Sequence, residues 1–393
     1  MTRKTGGEPA RGSGRWALWV GGAAVAAFLV WGVLRVGGGG DEVDTGEASE
    51  TGDASGEGAP ADAEDYPPAA PPAARLYPEV LSVGFAVLHQ GVWFALDHRD
   101  ARIHRIATDG TYLGNFGRRG EGPGELRGNI GPIAVVGDSI AVLDDGWGIH
   151  LYQSDGTPVA DWRVEDDHCF APAVVDMASS PRGLLFVVHC SRRAAAEPRP
   201  RVVLAEGRGP ARTLVTDTAD VNEVRWDRGF PRMAAHPRGF VFGYPGDECL
   251  GLFDLEGAPL ERICHDWMDR IPFPEDEADA YMNDVGARVR SRGRRVHRPE
   301  SYPPFSEFSV AGGERLVYLA SISQESWRGV RLLTRGPGGR QVVLPIPEGA
   351  SLGVSGGSVL AAWNDLEGIR IQFYSLDLER GAAEPFFTEP PRQ

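Results

Sequence analysis

Positive charge is scarce in this chain: 40 Lys and Arg stand against 55 Asp and Glu, a net charge of −15. A nucleic-acid binder needs a basic face to meet phosphates, so no nucleic-acid partner is expected. Cysteine is limited to Cys169, Cys190, Cys249 and Cys264, and their spacing matches no compact zinc motif. His168-Cys169 and His189-Cys190 place imidazole beside thiol, but neighbours on a strand point to opposite faces and hardly serve one ion together. The glycine-rich stretch near 117–124 lacks the Lys-Ser/Thr of a phosphate-binding loop and its strand-to-helix setting. No Ser-His-Asp arrangement follows from spacing either, because a triad is recognised in space. These gaps favour a binding or scaffolding module over an enzyme, with no cofactor expected.

Charge is also absent from residues 16–34, an apolar stretch carrying Trp16, Trp19 and Trp31 towards its ends. About 20 apolar residues span a bilayer, and indole rings favour its interfaces. The composition predicts a transmembrane helix over 16–36. Arg3, Lys4, Arg11 and Arg15 precede it, so residues 1–15 are expected in the cytoplasm and the rest of the chain outside, on a single-pass anchor. The apolar run exceeds the usual signal-peptide core, and no small-x-small cleavage signal precedes the glycines at 37–40. Residues 37–75 are rich in Gly, Ala, Pro, Asp and Glu. Within them, 41–65 hold ten acidic residues and neither Lys nor Arg. Such a segment buries too little surface to offset its ordering entropy and is expected to be a disordered tether.

Paired turns organise the remainder. Gly91, Gly137, Gly183, Gly239, Gly313 and Gly357 each precede a short apolar run, and a second turn follows about 20 residues on, as at Asp109-Gly110, Asp155-Gly156 and Glu256-Gly257. A module of about 45–50 residues with two hairpin turns has the size of a four-stranded propeller blade. Both turns of the second module lie 46 residues after those of the first. Pro181-Arg182-Gly183 and Pro237-Arg238-Gly239 mark equivalent turns in the third and fourth. The expected fold is all-β: a six-bladed β-propeller over 76–389, with an insertion at about 266–304. Acidic residues after Pro274 and arginines later suit a helix over 275–290. Arg288, Arg290, Arg292, Arg294 and Arg295 form either a contact for an anionic ligand or partner or a solvated helix end.

Between the first two modules stands Phe116-Gly117-Arg118-Arg119-Gly120-Glu121-Gly122-Pro123-Gly124-Glu125-Leu126, followed by Ile140-Ala141-Val142-Leu143-Asp144 and Ile149-His150-Leu151-Tyr152. This pattern resembles the inter-blade signature of NHL repeats and of bacterial six-bladed propellers of NHL-like type, most closely over 82–160. The chain departs from it with Gly128-Asn129-Ile130, where NHL repeats often have proline. The resemblance implies the propeller architecture. Asp97, Asp144 and Asp365 end strands of three modules, and three converging carboxylates could bind calcium. Some propeller hydrolases of the lactonase type use such a metal, which makes a metal-dependent hydrolase in the central channel the alternative to a scaffold for protein or small-molecule ligands. The competing role for these carboxylates is bonding to local turn backbone. Cys249 and Cys264 flank the turn at 256–257 symmetrically and are expected to face each other on adjacent strands; Cys169 with Cys190 is the remaining pairing, with free thiols as the alternative.

Overall fold

The computed structural model describes residues 74–165, 172–190, 199–218, 223–268, 270–291, 293–311, 314–320, 330–334, 341–344, 346, 350–377 and 382–385. All of them lie in the second of two compact units, 65–393. The expected membrane span and nearly all of the tether lie outside the described residues. Among those residues, no helix is long and apolar enough to cross a membrane.

The unit is a β-propeller. A short strand β1 (Arg75–Tyr77) leads into four-stranded antiparallel meanders in which each strand pairs with its neighbour in sequence. The first blade is β2 (Phe85–His89), β3 (Val92–Asp97), β4 (Arg102–Ala107) and β5 (Tyr112–Phe116). The second is β6 (Ile130–Val136), β7 (Ser139–Asp144), β8 (Gly148–Gln153) and β9 (Pro158–Arg163). The third is β10 (Pro172–Ser180), β11 (Gly183–Cys190), β12 (Arg201–Ala205) and β13 (Arg212–Thr216). After β14 (Glu223–Arg225), the fourth comprises β15 (Arg232–His236), β16 (Gly239–Gly243), β17 (Cys249–Phe253) and β18 (Pro259–Cys264). The insert supplies α1 (Glu275–Tyr281), a π-helical turn (Met282–Gly286), α2 (Ala287–Arg290) and β19 (Arg295–His297). The expected helix over 275–290 is thus continuous but changes pitch at its centre. The fifth blade is β20 (Phe305–Ala311), β21 (Arg315–Ala320), β22 (Val330–Thr334) and β23 (Gln341–Leu344).

The closing sheet differs. It holds β24 (Ser351–Ser355), β25 (Ser358–Asp365), β26 (Gly368–Asp377) and β27 (Ala382–Pro385). The long β26 pairs with β1 through 369–371 and with β27 through 374–377. Its outer edge is therefore shared between the first and last strands of the chain's ordered unit. Successive inner strands β2, β6, β10, β15, β20 and β24 are neighbours, and β24 returns to lie beside β2.

Strand alternation explains the packing. On β3, Trp93 and Ala95 join the cluster shared with the closing sheet, while Phe94 and Leu96 join the one shared with the second blade. Both faces are buried, so the strand reads as a continuous apolar run. Each pair of neighbouring sheets holds its own cluster in this way. Trp93 stacks on Phe373 of β26, with centroids 5.9 Å apart, across the junction between the first blade and the closing sheet.

The Pro-Arg-Gly turns have a steric cause. Gly183 and Gly239 have φ of +146° and +144°. At each, a Cβ would run into a cross-strand carbonyl oxygen, that of Ala205 or Phe253. Only glycine fits both the angle and the space.

Candidate functional site

In an antiparallel meander, the connection from an outer strand to the next inner strand emerges on the same face as the loop between second and third strands. The described residues of two elaborated connections, within 217–231 and 265–304, therefore leave the third to fifth blades on one face. They are joined to each other: β14 and β19 pair in parallel from Glu223↔Arg295 to Arg225↔His297. Trp226, Phe273 and Tyr302 pack together, with centroids between 4.6 and 5.5 Å apart. Arg228 fastens this cap to the propeller. Its Nε donates to Asp247 at 2.9 Å, its Nη1 to Asp217 at 3.1 Å, and its guanidinium lies 3.4 Å from the Tyr244 ring centroid. Beneath it, Gly246 approaches so closely that a Cβ would strike the Asp227 carbonyl oxygen.

The inner strands of the same three blades carry a charged trio, with Arg232 and Glu307 near the strand starts that follow these two connections. Asp176 on β10 accepts the N–H of Met177 at 2.9 Å and, across the blade boundary, that of Met233 on β15 at 2.8 Å. Arg232, also on β15, donates Nε to the Ser306 carbonyl of β20 at 3.1 Å, and its Nη2 lies 3.4 Å from Glu307. β10 is bulged between Val174 and Asp176, and β20 between Phe305 and Glu307. A bulge re-aims the side chains beside it, which here brings two carboxylates from different blades towards one guanidinium. Asp176 retains some accessible surface but is walled in by protein. Desolvation pushes its carboxyl up to about 6, against Arg232 and the two N–H groups, with Glu307 adding to the rise. A strongly perturbed carboxylate beside a charge partner is one mark of functional sites. The trio was not anticipated from sequence. The one local signal is Asp176 itself, a charge inside the apolar run 174–178.

The candidate metal carboxylates sit elsewhere. Asp97, fully buried, accepts the N–H groups of Leu81, Ser82, Arg99 and Asp100 and the Ser82 hydroxyl, at 2.7 to 3.2 Å. Burial opposes its charge, but the nearby His104, the Ser82 hydroxyl and the backbone N–H groups of Leu81 and Asp100 prevail. They hold the carboxyl well below the usual range. Asp144 accepts the Arg127 N–H at 2.9 Å and lies 3.3 Å from His150 Nε2. Both carboxylates therefore bond to the segment that leads into their own blade's inner strand. Asp365 is likewise the last residue of its strand, but it stands seven residues beyond the first paired position, Ser358, where Asp97 and Asp144 stand five beyond Val92 and Ser139. It is not their register equivalent. Among the described residues, no group of three His, Cys, Asp or Glu side chains is gathered to hold a metal ion.

Cys249 and Cys264 are directly opposed on β17 and β18 and joined by a disulfide. The hydrogen bond from His265 N to Glu248 O at 3.0 Å makes them a non-hydrogen-bonded pair, the register that brings side chains closest. Cys190 ends β11, and Cys169 lies outside the described residues. The insert's arginines have local partners: Arg288 bonds Asp284, Arg290 the Met282 carbonyl, and Arg295 Glu223. Arg294 lies close enough to His189 to lower that imidazole's affinity for a proton, after desolvation. Arg292 lies outside the described residues. In the glycine-rich signature, Arg118 pairs with Glu125, which also accepts the Gly122 N–H at 2.8 Å. The loop is closed on itself.

No protein-family model matches the chain, and no curated protein matches it. Solved structures match at low identity. A Bacteroides fragilis NCTC 9343 protein, provisionally described as exported, shares 14% identity, with 75% of this chain and 90% of that one covered and a TM-score of 0.41. A structural-genomics protein of unknown function from Bacteroides thetaiotaomicron VPI-5482 shares 11%, with 75% and 70% covered and a TM-score of 0.43. Apo AztD from Citrobacter koseri shares 13%, with 79% and 74% covered and a TM-score of 0.34. Likenesses at these identities and TM-scores assign no role to this chain.

Proposed function

We propose that this chain is a six-bladed propeller of NHL-like type that a single N-terminal helix anchors in the membrane, displayed outside the cytoplasm as a binding scaffold. The cycle of six neighbouring inner strands supports counting the closing sheet as the sixth blade. The observation that carries the binding reading is co-location: the connections within 217–231 and 265–304 lead into the inner strands that carry Arg232 and Glu307, and Asp176 of the third blade meets the same pair. A protein or small polar ligand would meet a guanidinium and two carboxylates there. Loops on a fixed scaffold are where binding residues concentrate. The apolar span 16–34 and the basic residues before it support the anchor and its orientation.

The test uses the full chain in detergent and a thermal-shift screen of polar metabolites and peptides, run in parallel on wild type and Arg232→Gln. A ligand of this site raises the wild-type melting temperature and leaves the variant's unchanged. Ligands that shift both equally bind elsewhere. Calcium-dependent hydrolysis of lactones or esters, lost in Asp97→Ala or Asp144→Ala, would replace the scaffold with the hydrolase alternative.

A further inference from the structure

The Cys249–Cys264 bridge lies where the fourth blade's outer strand runs into the insert, and its two sulfurs are not equivalent. Alternate residues of a strand share a face, so Arg262 projects on the same side of β18 as Cys264. Opposite Arg262 stands Gly251, which offers no side chain, and the guanidinium leans to the neighbouring position on β17. Its Nη2 lies 3.5 Å from Cys249 Sγ. Cys264 is exposed, whereas Cys249 is half-buried. One cysteine is thus the more open to solvent, and the other has a positive charge beside it.

We propose that this disulfide is a directional thiol-exchange site, attacked at Cys264 by an external dithiol, with Cys249 as the leaving thiolate. The attacking thiolate forms a bond to Cys264 Sγ as the bond to Cys249 breaks, and the electron pair passes to Cys249 Sγ. Arg262 stabilises that charge, and a lower leaving-group pKa speeds exchange. The second thiol of the dithiol loses its proton and attacks the mixed disulfide, releasing Cys264 as thiolate. Both protein thiolates take up the protons that the dithiol gave up. The bridge is reduced by two electrons and the dithiol is oxidised to its own disulfide. Reduction frees the end of β18 at the root of the cap, where Trp267 and Met268 pack into the cluster between the fourth and fifth blades. This inference rests on the export reading only in that an oxidising compartment is needed to form the bridge.

The experiment treats membrane-purified full chain with glutathione, quenches with acid and maps the adduct by peptide mass spectrometry. The expected product carries glutathione on Cys264 and a free thiol on Cys249. Arg262→Gln is expected to slow exchange roughly threefold, taking a pKa change of about one unit and a Brønsted coefficient near 0.5, while Arg262→Lys restores most of the rate. An adduct on Cys249, equal labelling of both cysteines, or a rate indifferent to Arg262→Gln would overturn the proposal. So would a thiol count showing both cysteines free before treatment. Protease protection of the propeller in sealed vesicles tests export separately, so the two failures are told apart.

Discussion

Removing the Asp97 carboxylate should cost the propeller far more stability than its position at a loop suggests. The group is wholly buried and receives four backbone N–H groups and one hydroxyl, while His104 Nε2 lies 3.6 Å away. Hydrogen bonds to a charged acceptor contribute about 1.5–3 kcal/mol, and a buried donor left unsatisfied costs about 1–3 kcal/mol. The Arg99 and Asp100 N–H groups can turn to water, whereas the Ser82 N–H and hydroxyl sit in a buried residue. Counting the latter two and a part of the others, Asp97→Ala should lose about 3–5 kcal/mol. Unfolding entropy of about 2.1 cal/mol/K per residue converts this, for an ordered unit of roughly 300 residues, to a drop near 6 °C. Asp144→Ala should lose about half as much, because fewer backbone donors converge on it. The assay is thermal unfolding followed by circular dichroism at pH 7. The ionised Asp97 is favoured by the fold, so its contribution is complete above the unfolded carboxylate pKa of about 3.9 and fades as pH falls below it. The wild-type and Asp97→Ala melting curves should therefore converge in acid. An Asp97→Ala protein that melts within 1 °C of wild type at pH 7 would refute the argument that this carboxylate is structural.

The opposite pH dependence is expected of Asp176. Its folded pKa of about 6 lies above the unfolded value, so ionising it destabilises the fold progressively from about pH 4 to 6 and fully above that. Asp176→Asn should flatten stability over that window, measured by urea midpoints at a series of pH values; an unchanged slope would remove the perturbed carboxylate. Gly239→Ala should destabilise the fourth blade by about 2–4 kcal/mol, since it adds both a strained φ and a backbone clash, and chemical denaturation reads the loss. Gly246→Ala should instead push the cap off its seat. Limited proteolysis within 217–231 and 265–304 is expected to accelerate, while the propeller's own melting temperature moves little.

Most of the fold was legible in local chemistry. Turn residues and apolar runs marked the strands because a blade is a meander, whose every pairing joins sequence neighbours. The 46-residue offset reappears as identical turns: Thr111 and Thr157 each donate their N–H to Asp109 and Asp155 Oδ1 at 2.8 Å. Cys249 and Cys264 were placed opposite each other by hairpin symmetry alone, and the register has them paired. The helix of the insert followed from its charge pattern. What lies between blades was not legible. The meeting of Asp176, Arg232 and Glu307 depends on two bulges and on the radial order of three sheets, and a bulge leaves no reliable mark in sequence. The parallel pairing of β14 with β19 joins segments some seventy residues apart (223 and 295), and the sharing of β26 by β1 and β27 joins the two ends of the ordered unit. Sequence by itself determined the strands, because side-chain alternation and turn geometry are local. Only the tertiary structure decided which side chains face one another across the ring, because that depends on how separate sheets stack around a common axis.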